Sequence, residues 1–204
     1  TKMGTEQSRE YIKSFFEEIK KCIAEIDIGK IEQIADVLYS AWKNDRQVFI
    51  LGNGGSASQA SHMAADISKN TLGMVYDPRI KRFRIMALTD NVSLMTAYAN
   101  DVGYDEVFSQ QLRNLINEHD VLIVITGSGN SPNVIRAVEY ARDCNAITIG
   151  LLGFDGGKVR SMLDYEITVN SKNYGVIETV HPAIHHLMVG YFRQKIDNEK
   201  LVTR

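Results

Sequence analysis

The 204-residue sequence has few of the features that are typical of membrane, secreted or nucleic-acid-binding proteins. It contains two cysteines, three prolines and one tryptophan, and its formal net charge is only −2. No apolar run approaches the roughly 20 residues of a membrane span. Basic residues are spread out apart from a short run at 79–84, and the first residues are polar and charged, which predicts no secretory signal. We therefore expect a soluble cytoplasmic protein that binds neither nucleic acid nor membrane.

The common nucleotide-binding motifs are also missing. There is no G-x-x-x-x-G-K-[ST] P-loop, and the G-x-G-x-x-G pattern that begins at Gly127 fails at Pro132, where the third glycine is required. The two cysteines, Cys22 and Cys144, each lie in a helical pattern. This placement predicts buried free thiols in a reducing compartment.

Two short loops rich in glycine and serine are the most informative features present. Residues 52–56 (Gly-Asn-Gly-Gly-Ser) follow the apolar run 48–51, and residues 126–131 (Thr-Gly-Ser-Gly-Asn-Ser) follow the apolar run 121–125. A strand, a tight turn and a hydroxyl-rich helix start together build an anion site from backbone N–H groups. A single such loop is equally well an ordinary strand-to-helix turn. Two in one chain favour a phosphorylated ligand that is not a nucleotide.

The rest of the pattern predicts an α/β protein. Two helices are expected over 5–44, each with an apolar stripe. Strands are then predicted at 48–51, 84–88, 121–125, 147–152 and 165–169, and helices near 57–69, 91–99, 104–117, 131–144 and 175–196. Residues 71–83 form the longest irregular stretch. The alternation favours a parallel sheet covered on both faces, whose ligands bind beyond the carboxyl ends of the strands, where both loops lie.

Four of the five histidines fall in two helical segments. His62 and Asp66 are four residues apart, which places both on one face of the helix after the first loop. The last predicted helix adds four polar candidates: Glu178, His181, His185 and His186. Glu178 and His185 align best because they are two turns apart, and His186 lies about 80° further round. The pattern fits a metal or catalytic site, and it also fits the polar face of an amphipathic helix.

Several segments together resemble the sugar isomerase (SIS) domain family, in its phosphoheptose isomerase branch. They are 52–56, 62–66, 99–101, 128–135, 154–158 and 177–186, and the resemblance covers nearly the whole chain. It implies one domain over 1–204, with N-terminal helices at 1–44 and an α/β core at 45–204. The core is then a doubly wound parallel five-stranded sheet of the SIS, flavodoxin-like type. The resemblance further implies a homotetramer that acts on a phosphorylated sugar.

The resemblance also assigns roles to individual residues. It implies a Zn²⁺ site made by His62, Asp66, Glu178 and His186, with Asp66 and His186 in proton transfer. It implies substrate contacts from the two loops and from two further positions: Asn53, Gly54, Ser56, Asn91, Thr126, Ser128, Asn130, Ser131 and Glu178.

Four positions depart from the family's common pattern. Asp66 stands where Glu is usual, Glu178 where Gln is usual, Asn70 where Arg is usual, and Asn91 where Asp is usual. A carboxylate in place of an amide should strengthen a zinc site, because anionic oxygens are good zinc ligands. The shorter acid and the missing Arg weaken the case for the same substrate and the same rate.

The expected reaction is the aldose–ketose isomerisation of sedoheptulose 7-phosphate to D-glycero-D-manno-heptose 7-phosphate, through a metal-assisted enediolate. Two alternatives stay open. One is a non-catalytic SIS tetramer that binds a replication initiator, which the chain also resembles around 89–92 and 105–107. The other is an isomerase or epimerase for another phosphosugar in polysaccharide synthesis. The histidines and carboxylates that the chain retains favour an enzyme over the scaffold.

Overall fold

A five-stranded parallel sheet forms the centre of the fold. The computed structural model describes residues 4–72 and 78–199. Its strands are β1 (Gln47–Gly52), β2 (Arg84–Ala87), β3 (Val121–Thr126), β4 (Ile147–Gly153) and β5 (Tyr165–Val169). They lie in the order β2-β1-β3-β4-β5, and all neighbours are parallel. The predicted doubly wound sheet is confirmed, and its strand order is the flavodoxin-like one.

Helices connect and cover the strands. They are α1 (Thr5–Ala24), α2 (Ile28–Lys43), α3 (Gly55–Asn70), α4 (Val92–Asp101), α5 (Ser109–Leu115), α6 (Pro132–Asp143) and α7 (Tyr174–Glu199), with short 3-10 turns at Tyr104–Glu106 and Lys158–Met162. The helix predicted over 104–117 is wrong in extent: its first residues form a 3-10 turn, in which the Val107 N–H donates to the Tyr104 carbonyl (3.3 Å), and the α-helix covers only Ser109–Leu115. The irregular stretch expected at 71–83 falls partly outside the described residues.

The sheet is buried on both of its faces. All six residues of β3 are buried, and alternate side chains enter different layers of the core. Helices α1, α2, α3 and α7 cover one face, and α4, α5 and α6 cover the other. Cys22 is buried in the first layer, but Cys144, predicted to be buried, is only half-buried because it ends α6. None of the helices in the described ranges has both the length and the apolarity to cross a bilayer.

The direction of winding reverses between β1 and β3. From β1 the chain first adds β2 on one side, and it then crosses to place β3 on the other. Such a reversal leaves a crevice at the carboxyl ends of the two strands, which is where ligands bind in open α/β sheets. Both Gly/Ser loops start there, and the helices α3 and α7 pack against each other beside it.

Candidate active site

The first loop turns tightly from β1 into α3. A Cβ on Gly52 would lie 2.8 Å from the Ile125 carbonyl oxygen and from Ser56, so only glycine fits at that position. Gly54 has a φ of +55°, the left-handed region that favours glycine. Ser56 follows in the first turn of α3 and is buried. The local sequence therefore places a hydroxyl and a helix N-terminus directly at the crevice.

A pair of asparagines joins the two loops across the crevice. Asn53 and Asn133 exchange two amide hydrogen bonds of 2.9 Å each, and the Tyr104 hydroxyl donates to Asn53 Oδ1 at 3.0 Å. Asn133 is buried at the start of α6. Asn133 lies within the segment 128–135 that carries the family resemblance, but the sequence alone assigns it no role. The structure shows that it fixes the orientation of Asn53, a predicted substrate contact.

The second loop arranges its hydroxyls around the start of α6. Thr126 Oγ1 accepts from the Gly129 N–H (3.1 Å), and Ser128 Oγ accepts from the Asn130 N–H (3.3 Å). Ser131 is the N-cap residue of α6, yet its side chain makes no capping hydrogen bond. Thr126 is buried, whereas Ser128 and Ser131 are half-buried. The last two hydroxyls are therefore the ones that an incoming anion can reach.

A third loop holds the second one in place. A Cβ on Gly129 would lie 1.9 Å from the Gly156 carbonyl oxygen, and Gly129 has a φ of +64°. The Asn130 side chain donates to the Ser128 carbonyl (2.9 Å) and accepts from the Lys158 N–H (3.0 Å). The Asn130 side chain thus links the backbone of the second loop, at Ser128, to the backbone of the third loop, at Lys158. This rigid support keeps Ser128 in position.

A cavity of about 780 Å³ opens beside this loop. Its lining includes Ser128, Asn130, Lys172 and Tyr174, with Glu18 from α1. The volume lies within the range of small-molecule sites. Lys172 could not be predicted as part of this lining, because a lone lysine after a strand belongs to no sequence motif.

Three histidines converge on one oxygen of Asp66. The distances to Asp66 Oδ2 are 3.1 Å from His62 Nε2, 3.2 Å from His185 Nε2 and 3.3 Å from His186 Nε2. The other carboxylate oxygen, Oδ1, accepts from the Asn70 amide at 2.9 Å. The four ligand atoms of His62, Asp66, His185 and His186 all lie within 4.8 Å of one another. Such a group of nitrogen and oxygen donors could hold a metal ion.

The members of this His/Asp group differ in exposure. The His185 side chain is 1% exposed, whereas His62 is 51% and His186 is 54% exposed. Burial, followed by repulsion from His186, lowers the pKa of His185 from 6.5 to about 4, although the hydrogen bond with Asp66 opposes the shift. A neutral imidazole is the form that binds metals.

Two other residues predicted for the site make different contacts. Glu178, expected both as a metal ligand and as a substrate contact, is not a member of the His/Asp group. Both of its carboxylate oxygens lie 2.8 Å from the point where a Cβ on Gly55 would be, at the start of α3. Asn91 caps α4, since its side chain accepts from the Leu94 N–H at 3.0 Å. In that loop it is the neighbouring Asp90 that contacts α3, through the Ser61 hydroxyl.

Comparison with known proteins assigns the family. The family model for the SIS domain matches residues 10–153. The chain belongs to the SIS domain family. A phosphoheptose isomerase of Aliarcobacter butzleri is 38% identical over 169 residues, which cover 83% of this chain and 85% of that protein. One from Syntrophotalea carbinolica is 34% identical, with coverage of 91% and 93%.

Solved structures agree with this assignment. The phosphoheptose isomerase GmhA of Neisseria gonorrhoeae superimposes with a TM-score of 0.82 at 32% identity, over 93% of this chain and 98% of that one. A phosphoheptose isomerase from Francisella tularensis gives a TM-score of 0.84 at 29% identity, over 95% and 100% of the two chains. The SIS fold of this chain therefore includes the N-terminal helices as well as the sheet.

Proposed function

We propose that this SIS protein is a phosphosugar isomerase that converts sedoheptulose 7-phosphate to D-glycero-D-manno-heptose 7-phosphate. The observation that carries the proposal is the convergence of three imidazoles on Asp66, on a helix that starts at the crevice. Full-length relatives named phosphoheptose isomerase, at 34–38% identity, supply the reaction and its substrate. An SIS scaffold without catalysis would have no need for such a group.

The substrate phosphate is assigned to the second loop and the sugar to the first. Ser128 and Ser131 present hydroxyls at the N-terminus of α6, where the helix dipole favours an anion. Thr126 and Ser56, the other hydroxyls expected at the phosphate, are buried. Asn53 is oriented by Asn133 and Tyr104, and its second amide N–H is assigned to the sugar hydroxyls.

A divalent metal, which we take to be Zn²⁺, completes the site. His62, Asp66 and His186 belong both to the set expected from the resemblance and to the observed group. Imidazole nitrogens and a carboxylate oxygen are the donors that zinc accepts, so the residues present fit the ion. When bound, the metal supplies polarisation of the substrate carbonyl and stabilises the negative charge that develops on its oxygen.

Proton transfer is assigned to Asp66 and His186. Isomerisation needs one group to remove a proton next to the carbonyl and one to return it at the neighbouring carbon. His186 is more than half exposed and can be reached by a substrate, whereas His185 next to it is buried. Asn70 holds Asp66 Oδ1 and so fixes the plane of the carboxylate.

We further propose a cytoplasmic homotetramer in which the whole chain acts as one domain. Exposed apolar side chains on α1, among them Tyr11, Ile12 and Phe16 at 62%, 55% and 57% exposure, are unusual for a monomer. On α7, Leu187 and Tyr191 extend the exposed apolar surface. These faces are where we expect subunits to meet.

The test is turnover of a panel of sugar phosphates, followed by NMR. We expect the zinc-loaded protein to interconvert the two heptose 7-phosphates faster than any other pair on the panel. Asp66→Asn should abolish turnover, while the matched variant Asp143→Asn, on exposed α6 surface, should leave it unchanged. Preference for a different phosphosugar would replace the substrate assignment, and no turnover at all would favour the scaffold alternative.

A further inference from the structure

Adjacent histidines on α7 reach the same atom of α3. Successive residues of a helix diverge by about 100°, yet His185 Nε2 and His186 Nε2 lie 3.2 and 3.3 Å from Asp66 Oδ2. Both imidazole rings therefore approach Asp66 Oδ2, and a third imidazole nitrogen, His62 Nε2, lies 3.1 Å from the same oxygen. The family resemblance assigns no role to His185, whereas the structure places its imidazole in this group.

The arrangement around Asp66 Oδ2 fits a metal centre, because this oxygen has more nitrogens beside it than it can accept hydrogen bonds from. One carboxylate oxygen has only two lone pairs to offer, which is fewer than the three imidazoles around it. Tetrahedral ligands at about 2.0–2.1 Å from zinc lie ~3.3 Å from one another. The three separations from Asp66 Oδ2, 3.1, 3.2 and 3.3 Å, agree with that spacing, and all four ligand atoms lie within 4.8 Å of one another.

Glu178, the fourth ligand expected from the resemblance, faces another part of the site. Its half-buried carboxylate lies against Gly55, at the first turn of α3. His62 and Asp66 are two and three turns further along the same helix. Among the described residues, its side chain forms no hydrogen bond or ion pair. Glu178 is thus separated from the group that His185 joins.

We propose that His185 is a metal ligand of this site and that it takes the place of Glu178. The inference rests on the proposed metal-dependent function. It also means that metal binding does not depend on His186, to which the resemblance gives both metal ligation and proton transfer. With His62, Asp66 and buried His185 holding the ion, the site keeps a two-histidine, one-carboxylate set, which is a common set in catalytic zinc sites. Exposed His186 can then leave the metal to carry a proton without loss of the ion.

The first experiment counts imidazoles in His186→Ala loaded with zinc. X-ray absorption at the zinc edge should show two imidazoles per zinc, from His62 and His185. If Glu178 were the ligand instead of His185, only His62 would remain, and one imidazole would overturn the proposal. His186 is more than half exposed, so the substitution should leave the fold intact.

The second experiment compares zinc affinity in His185→Leu and Glu178→Ala, by competition with a chelator. His185→Leu should weaken binding by at least ~100-fold, above the 10–100-fold that loss of an outer-sphere partner costs. Glu178→Ala should change it by less than ~10-fold, the lower limit of that outer-sphere range. Thermal melts of the metal-free proteins check that the leucine variant folds. The reverse order of affinities would overturn the proposal.

Different results would refute the proposed metal-dependent function and the assignment of His185 as a ligand. Wild-type protein that takes up no zinc on reconstitution would remove the metal from the proposed function, and this inference with it. Zinc-loaded wild type whose affinity depends on Glu178 and not on His185 would leave the proposed function standing and refute the inference alone.

Discussion

His181 should make the stability of this protein depend on pH. It lies one turn before His185 on α7, is 1% exposed, and bonds through Nε2 to the Leu152 carbonyl at 2.9 Å. Its Nδ1 is buried without a hydrogen-bond partner among the described residues. Burial lowers the pKa of His181 from 6.5 to about 4, with the bond to Leu152 opposing the shift. The substitution His181→Gln keeps a donor near Nε2 and removes the titration.

The sign and size of the effect follow from linkage. Because the folded-state pKa lies below the unfolded one, the unfolded chain binds the proton first as pH falls. The stability contributed by neutral His181 is therefore complete above pH 6.5 and is lost as the pH falls toward about 4. Between pH 7.5 and pH 5.0 the loss is about 2 kcal/mol, and its limit at lower pH is about 3 kcal/mol.

Urea unfolding of the metal-free protein, at one protein concentration and at both pH values, measures this loss. Carboxylates and the other histidines titrate in wild type and variant alike, so the difference between the two proteins isolates His181. The wild type should lose about 2 kcal/mol more free energy of unfolding than His181→Gln between pH 7.5 and pH 5.0. Equal losses would show that His181 is not held neutral by burial, and would refute the reasoning.

Three further predictions concern the loops and the N-terminal helices. Ser128→Ala should raise KM by about 10-fold or more, since a hydrogen bond to a charged group contributes about 1.5–3 kcal/mol, while the control Ser161→Ala should leave KM unchanged. Asn133→Ala should lower the free energy of unfolding by about 2 kcal/mol in urea titrations, through loss of both amide bonds to Asn53. Deletion of 1–44 should give aggregates or a smaller, inactive species in sedimentation; full-length protein that sediments as a monomer would contradict the interface assignment.

The fold could be predicted from the sequence because its central strands β1 and β3 contain continuous apolar runs. The run at 121–125 is buried on both faces of a parallel sheet, and it became β3 with one residue added. The bounds of the helix within 104–117 could not be predicted, because its first turn is closed by i→i−3 backbone bonds, such as Val107 N–H to the Tyr104 carbonyl, and not by α-helical ones. The periodicity of the side chains does not distinguish these two bond patterns.

The candidate site was only partly predictable, for a geometric reason. Helical spacing showed that Glu178 and His185 share a face of α7, but it could not show which of them meets Asp66. That depends on how α7 packs against α3, which brings His185 to the carboxylate and Glu178 to Gly55. Asn91 was expected at the substrate, and its side chain caps α4, so its contact with the substrate stays a prediction. A short polar side chain can cap a helix or bind a ligand, and the sequence alone does not distinguish the two roles.

The most direct test of the account is the metal dependence of heptose phosphate isomerisation. Purified protein would be assayed with sedoheptulose 7-phosphate by NMR as isolated, after chelation, and after Zn²⁺ is returned. We expect D-glycero-D-manno-heptose 7-phosphate to form, formation to stop on chelation, and added Zn²⁺ to restore it. Activity that survives complete metal removal would contradict the metal centre at Asp66, and failure of the zinc-loaded protein to act on this substrate would contradict the proposed function.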